Sequence, residues 1–194
     1  MAKRVFFSFH YQDVADFRAN VVRNHWMTKP NRGEAGFFDA SVWEEAKKDS
    51  NLAIKRLINA GLTNTSCTCV LIGSQTYARQ WVHYEMFKSI AKGNYLFGVH
   101  INEIRGRDQQ TKALGVNPFE YTALGFSEDG RSMTPYVAGK NGWSVFAELD
   151  RWNRSTPVPA GLHGRIMPLS QMNFPTYRWI ADDGYTHFSK WAGE

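Results

Sequence analysis

The sequence predicts an α/β fold: a doubly wound parallel sheet of the flavodoxin-like kind, with a C-terminal extension of β-ribbon and helix. Three observations predict it. Apolar runs rich in β-branched and aromatic residues at 4–9, 67–73 and 95–101 have the length of buried strands. Segments with helical apolar spacing separate them, which implies parallel strands joined by crossover helices. After about residue 102 this alternation stops, and short runs between turn signals replace it.

Arg4 to Phe9 reads as the first strand. From Asp13 to Met27, Val14, Phe17, Val21, Val22 and Trp26 recur at helical intervals, with Asp13 as a candidate cap. Pro30, Asn31 and Gly33 mark a loop, and Gly36 to Asp39 reads as a short second strand. Ser41 or Asp39 caps a helical segment, whole or broken, that reaches Ala60 before Gly61. Its apolar face is Leu52, Ile54, Leu57 and Ile58. Cys67 to Gly73 is the third strand. A helix follows from about Gln80 to Lys92, closed by Gly93, and Tyr95 to Ile101 is the fourth strand. Right-handed crossovers order these strands 2-1-3-4. Ligands of such sheets bind beyond the carboxyl ends of the strands, where the order reverses. That places a crevice between strands one and three, with Ser8 to Tyr11 on one side and Ser74 to Tyr77 on the other.

The remainder reads differently. Gly106 to Pro118 is polar and loop-like. Tyr121 to Phe126 and Ser132 to Val137 flank a hairpin turn, and residues 139–142 form a second turn before Trp143 to Phe146. A closing helix spans Ile180 to Trp191, capped by Asp182 or Asp183, with Tyr185, Phe188 and Trp191 facing inward. Residues 1–115 are therefore expected to form the core and 116–194 an extension packed on it, as one compact domain.

Composition narrows the function classes. With 13 Phe, 8 Tyr and 7 Trp in 194 residues, a large aromatic core is available. No apolar run is long enough for a membrane span, and Val5 to Phe9 is too short for a signal peptide. Cys67 and Cys69 lie two apart on one strand with parallel side chains, a poor disulfide geometry, and read as free thiols. No Cys/His spacing suggests a metal. The net charge of +5 comes from scattered Lys and Arg, without the basic block of a nucleic-acid binder. Gly-x-Gly-x-x-Gly and Walker loops are absent.

The segment Ser74 to Glu85 carries the strongest chemical signal. Trp81 and Glu85, four residues apart, share one helix face. A hydroxyl-rich turn, an aromatic ring and a carboxylate at the end of a strand suit a small-ligand site. Phe6 and Ser8 stand near the carboxyl end of strand one. Ser74 either caps the turn or offers its hydroxyl and nearby amides to a phosphate. Arg79 faces a pyrophosphate or solvent. His83, two residues from Glu85, does not share its face, and His100 reads as a satisfied core histidine.

Val5 to Phe9 with Asp13 resembles the opening strand of TIR domains. Ser74, Tyr77, Trp81 and Glu85 resemble the Trp-x-x-x-Glu segment of TIR-domain NAD⁺ nucleosidases. Residues 3–13, 20–24 and 181–185 are further similar to the TIR-like family of the bacterial Thoeris anti-phage system, a resemblance that spans nearly the whole chain. It implies a cytoplasmic enzyme with NAD⁺ as substrate and neither cofactor nor metal. Glu85 would be catalytic, and Phe6, Ser8, Ser74, Trp81 and Tyr84 would hold the dinucleotide. On a phage-derived trigger, such proteins convert NAD⁺ to a cyclic ADP-ribose isomer. That signal activates a separate effector, ThsA, which depletes NAD⁺. TIR enzymes generally complete their site across neighbouring subunits, which implies a homo-oligomer. The competing classes are a non-catalytic TIR interaction module and a nucleotide-signal binder without turnover. Two departures stand out: Val82 replaces the Cys that commonly follows the Trp, and Thr28 to Ala35 does not resemble the usual assembly loop.

Overall fold

Cys67–Ile72 (β3) is buried at every position, as a central strand must be when helices cover both faces of a parallel sheet. The structure, a computed structural model, describes residues 3–37 and 40–193. β3 pairs in parallel with Lys3–Ser8 (β1) on one side and Tyr95–His100 (β4) on the other. Arg32–Ala35 (β2) adds to β1, so the first four strands follow the expected order 2-1-3-4. The fifth strand of this sheet does not come from the first 115 residues. It is Thr176–Arg178, which pairs in parallel with the outer edge of β4.

Tyr11–Ala15 (α1) and Arg18–Met27 (α2) replace the single helix expected from 13 to 27. Phe17 breaks it by adopting a left-handed conformation, φ 65°, and lies half exposed instead of in the core. Arg18 turns inward in its place. Its guanidinium donates to the carbonyls of Ile104 at 2.9 Å and Gln110 at 2.7 Å and to Asp16 at 2.8 Å. The second strand also forms earlier than the sequence suggested. Residues 32–35 are half polar, and partners hold them: Trp26 donates its indole N–H to the Gly33 carbonyl, and Arg23 pairs with Glu34. Phe38 and Asp39, which the reading gave to that strand, lie outside the described residues.

Ala40–Asp49 (α3) and Asn51–Leu62 (α4) form the broken helical segment. Ser50 separates them and caps α4, its hydroxyl accepting from the Ala53 amide at 3.2 Å. Gln80–Lys92 (α5) matches the expected bounds, and Gly93 closes it in a left-handed conformation, φ 83°.

The extension is larger than a ribbon. Thr122–Phe126 (β5), Ser132–Gly139 (β6) and Gly142–Val145 (β7) form the expected antiparallel meander. Trp152–Asn153 (β8) and Ile166–Pro168 (β9) join it, too short to show a periodicity in sequence. Thr176–Arg178 becomes β10, and Gly184–Trp191 (α6) closes the fold. Asp183, not Asp182, caps α6 by accepting from the Thr186 amide. Tyr185 is half exposed, while Phe188 and Trp191 are buried as expected.

Two apolar clusters organise the molecule. One gathers Phe7, Trp26, Phe97, Trp179 and Phe188 on the α2 and α6 side of the parallel sheet. The other joins Phe6, Val70 and Ile72 of that sheet to Val82, Tyr84, Met86 and Phe87 of α5, and onward to Leu124 and Met133 of the second sheet and Phe146 just after β7. α5 is therefore held between two sheets, which explains why Val82 to Phe87 is buried without interruption. No helix among the described residues is long and apolar enough to cross a membrane.

Candidate active site

The alternation of β1 fixes what α5 meets. Phe6 and Ser8 point to the α5 side of the sheet, and Phe7 and Phe9 to the other. Phe6 lies deep beneath the helix and is fully buried. Ser8, at the strand's carboxyl end, donates its hydroxyl to Glu85 Oε2 at 2.5 Å. Glu85 is only 6% exposed. Burial pushes its carboxyl up to about 8, although the Ser8 hydrogen bond pulls the other way. A carboxyl group so placed is poised to change charge when a cation arrives beside it.

Glu85 lines a cavity of about 320 Å³. Phe7, Phe9, His10 and Tyr11 wall it from the β1 side, and Gly36 from the end of β2. Trp43, Glu44 and Lys47 of α3 form the far wall, and Arg79, Trp81 and Val82 the wall beside Glu85. Five aromatic residues, Phe7, Phe9, Tyr11, Trp43 and Trp81, share this lining with the polar groups His10, Glu44, Lys47, Arg79 and Glu85, a mixture of apolar wall and placed polar groups that suits a small-molecule pocket. His10 is held below the ordinary histidine range by burial and by the Arg79 charge, which favours its neutral form.

The cavity keeps one side of the crevice expected between β1 and β3: Phe9, His10 and Tyr11 line it, and Ser74 to Tyr77 do not. The Ser74 side is covered. The Ser74 hydroxyl accepts from Asn102 Nδ2 at 3.1 Å, and Asn102 Oδ1 accepts from the Gly115 amide at 3.0 Å. Gly115 approaches so closely that a Cβ there would stand 2.1 Å from the Gly73 carbonyl oxygen. Asp13 seals the same region. It is not a helix cap but a buried carboxyl pressed against Gly73, pushed up to about 6 by burial. The open crevice is displaced to the β1 and β2 side, under α3.

Of the residues singled out in sequence, Ser8, Arg79, Trp81 and Glu85 come together here, with His10 and Tyr11 from the expected β1 side. Phe6, Ser74, Tyr84, His83 and His100 lie off the cavity lining. Phe6 packs in the core, away from the cavity lining. Ser74 is engaged with Asn102. Tyr84 is buried off the cavity lining, its hydroxyl donating to Asn59 Oδ1 at 3.3 Å and its ring meeting Trp81 edge-on. His83 faces away from Glu85 and bonds the Tyr77 carbonyl at 2.7 Å. His100 is buried, but its Nδ1 has no partner among the described residues. Trp43 and Lys47 escaped the sequence reading, because nothing local in α3 signals which strand ends it will cover. Among the described residues, no group of three His, Cys, Asp or Glu side chains is gathered to hold a metal.

Comparison with known proteins adds two findings. Residues 6–105 match the family described as Thoeris protein ThsB, TIR-like domain. A Bacillus cereus (strain MSX-D12) protein, provisionally named cyclic ADP-D-ribose synthase ThsB1, is 53% identical over 192 residues, covering 99% of this chain and 100% of that protein.

Proposed function

The chain belongs to the TIR-like ThsB family of Thoeris systems, and from that premise we propose that it cleaves NAD⁺ and cyclises the ADP-ribose portion into a signal. The observation that carries this reading is the buried Glu85 carboxyl, held by Ser8 at 2.5 Å on the wall of an aromatic cavity. At about 320 Å³ the cavity is at the small end for ligand sites. It suits the nicotinamide riboside half of the substrate, with the rest of the dinucleotide extending over the rim.

The chemistry follows from that placement. Nicotinamide leaves with the electron pair of the N-glycosidic bond and departs neutral, because it is bound as a cation. The ribose C1′ becomes an oxocarbenium-like centre. Ionised Glu85 stabilises it electrostatically in a site that excludes water. The approach of the pyridinium charge favours the ionised carboxylate over the protonated form that burial alone prefers. A hydroxyl of the same molecule then bonds to C1′ and gives up its proton, for which a carboxylate is a suitable acceptor. Holding that hydroxyl near C1′ gives it a high effective concentration over water. Phe7, Phe9, Trp43 and Trp81 supply the apolar walls that keep water out.

The product is a diffusible cyclic ADP-ribose isomer that activates the effector ThsA. The enzyme acts in the cytoplasm after a phage-derived trigger and assembles as a homo-oligomer, with residues 116–194 serving as an extension of the 1–115 core. Buried free Cys67 and Cys69 fit a reducing compartment. The test is to infect cells that carry this chain alone, pass the lysate through a protein-excluding filter, and add it to purified ThsA with NAD⁺. The expected result is ThsA activation by wild-type lysate and none by Glu85→Ala lysate. Equal activation by both would sink the reading, as would bulk conversion of NAD⁺ to linear ADP-ribose by the chain alone.

A further inference from the structure

We propose that Arg79 and Lys47 form a diphosphate subsite on the cavity rim, which sets the direction in which the dinucleotide lies along α5. This rests on the reading of the cavity as an NAD⁺ site.

Arg79 stands at the N-cap position of α5 and lines the cavity with Glu85. Its Nε is buried and finds no hydrogen-bond partner among the described residues. A buried guanidinium nitrogen without an acceptor is costly, and a ligand oxygen would relieve that cost. The first turn of α5 carries no acidic residue that could accept from it. Lys47 faces the same space from α3. Its ion pair among the described residues, with Glu44 on the same rim, is a loose 3.8 Å contact between mostly exposed side chains. A phosphate would compete with that pair at little cost.

Spacing supports one register. Arg79 and Glu85 are six residues apart on the helix, about 9 Å along its axis. With the reacting ribose against Glu85, the diphosphate of the same molecule falls toward Arg79. There the guanidinium can take two oxygens at once, and the first-turn amides of α5 add a favourable dipole. The reverse orientation would leave the diphosphate in the aromatic interior and Arg79 without an acceptor. The adenosine end then lies beyond the rim. An intramolecular attack on C1′ requires the chain to fold back, and a phosphate anchor at mid-molecule provides a pivot for that fold.

The test uses the purified full-length protein and isothermal titration with ADP-ribose, and with nicotinamide riboside as a phosphate-free probe. Wild type is expected to bind ADP-ribose more tightly than the riboside. Arg79→Gln should weaken ADP-ribose by about 10- to 100-fold, the worth of a hydrogen bond to a charged group, and leave the riboside unchanged. Lys47→Gln should weaken it less, and Arg79→Lys should restore part of the loss, since a point charge replaces a fork. Unchanged ADP-ribose binding by a folded Arg79→Gln protein overturns the proposal, as does equal binding of both probes by wild type. Glu85→Gln separates this from the parent reading. It should keep the ADP-ribose preference while losing cyclic product. If it keeps the preference and also keeps making product, the subsite stands and the assignment of the reaction to Glu85 falls.

Discussion

Ser8 and Glu85, 77 residues apart in the chain, share a buried hydrogen bond of 2.5 Å that ties the end of β1 to the middle of α5. Ser8 is fully buried and Glu85 nearly so, so the bond is shielded from competing water. It fixes the orientation of the carboxyl group and biases its charge.

Glu85→Gln is expected to lower product formation by about 10² or more, the usual cost of removing an electrostatic stabiliser of the transition state. Glutamine preserves size and can still accept from Ser8. Near wild-type production of the cyclic nucleotide by a mutant with native circular dichroism would remove Glu85 from the mechanism.

The same carboxyl makes stability depend on pH. Its folded value is about 8 against an ordinary 4.5. Between these values the folded chain keeps a proton that the unfolded chain has lost, so stability falls as pH rises across that interval. The slope tends to about 1.4 kcal/mol per pH unit for one proton. Asp13, raised to about 6 from 3.8, adds the same sign over a lower interval. Glu85→Gln should therefore lose less melting temperature than wild type between about pH 6 and 8. Parallel melting curves across that range would contradict the assigned burial of Glu85.

Ser8→Ala removes the hydrogen bond that pulls the Glu85 carboxyl downward. The acid limb of kcat/KM should move to higher pH, and activity near neutrality should fall by about tenfold, the scale of one buried hydrogen bond to a charged group. Full pH profiles of both proteins are the check. An unshifted limb would mean that Ser8 does not tune the carboxyl.

Gly115→Ala should destabilise the fold by about 2 kcal/mol, because the added methyl meets the Gly73 carbonyl and must displace backbone. Urea unfolding measures this. A neutral result would show that the 102–117 segment does not clamp the turn at 73–76.

Ser50→Ala should cost about 1 kcal/mol through the lost cap of α4 and leave product formation unaltered. Chemical denaturation and an activity assay, run together, separate the two effects.

The sequence was most legible where local pattern and tertiary role agree. α5 is readable at both ends, because its apolar residues, Gly93 and the preceding turn all agree. Glu85 and Trp81 are readable as a pair because helical spacing forces them onto one face. Phe6 and Tyr84 lie off the cavity lining for a geometric reason. Phe6 shares the face of Ser8 but lies under the helix, and Tyr84 precedes Glu85 by one position and so points elsewhere. β2 was placed too late because an edge strand held by Arg4, Arg23 and Trp26 carries no apolar rhythm. The displacement of the crevice was illegible. It depends on Asn102 and Gly115 folding back over Ser74 and Gly73, contacts that local sequence does not encode.

The strand at 176–178 has a consequence for how the chain must be made. The segment recognisable as TIR-like stops at residue 105, yet the outer edge of β4 is closed by β10, with the Gly98 amide donating to the Pro175 carbonyl and the Trp179 amide to the His100 carbonyl. Synthesis delivers the core helices and four strands long before the strand that seals them. Until then the nascent chain carries an unpaired apolar edge, a template for pairing with other chains. The pairing that completes the parallel sheet, Thr176 against Gly98, is far less local than the hairpins of the antiparallel sheet and carries the greater loop-closure cost. A chain ended at Arg105 would hold its β4 edge open permanently and would be expected to aggregate. The recognisable domain and the folding unit are therefore not the same stretch of polypeptide.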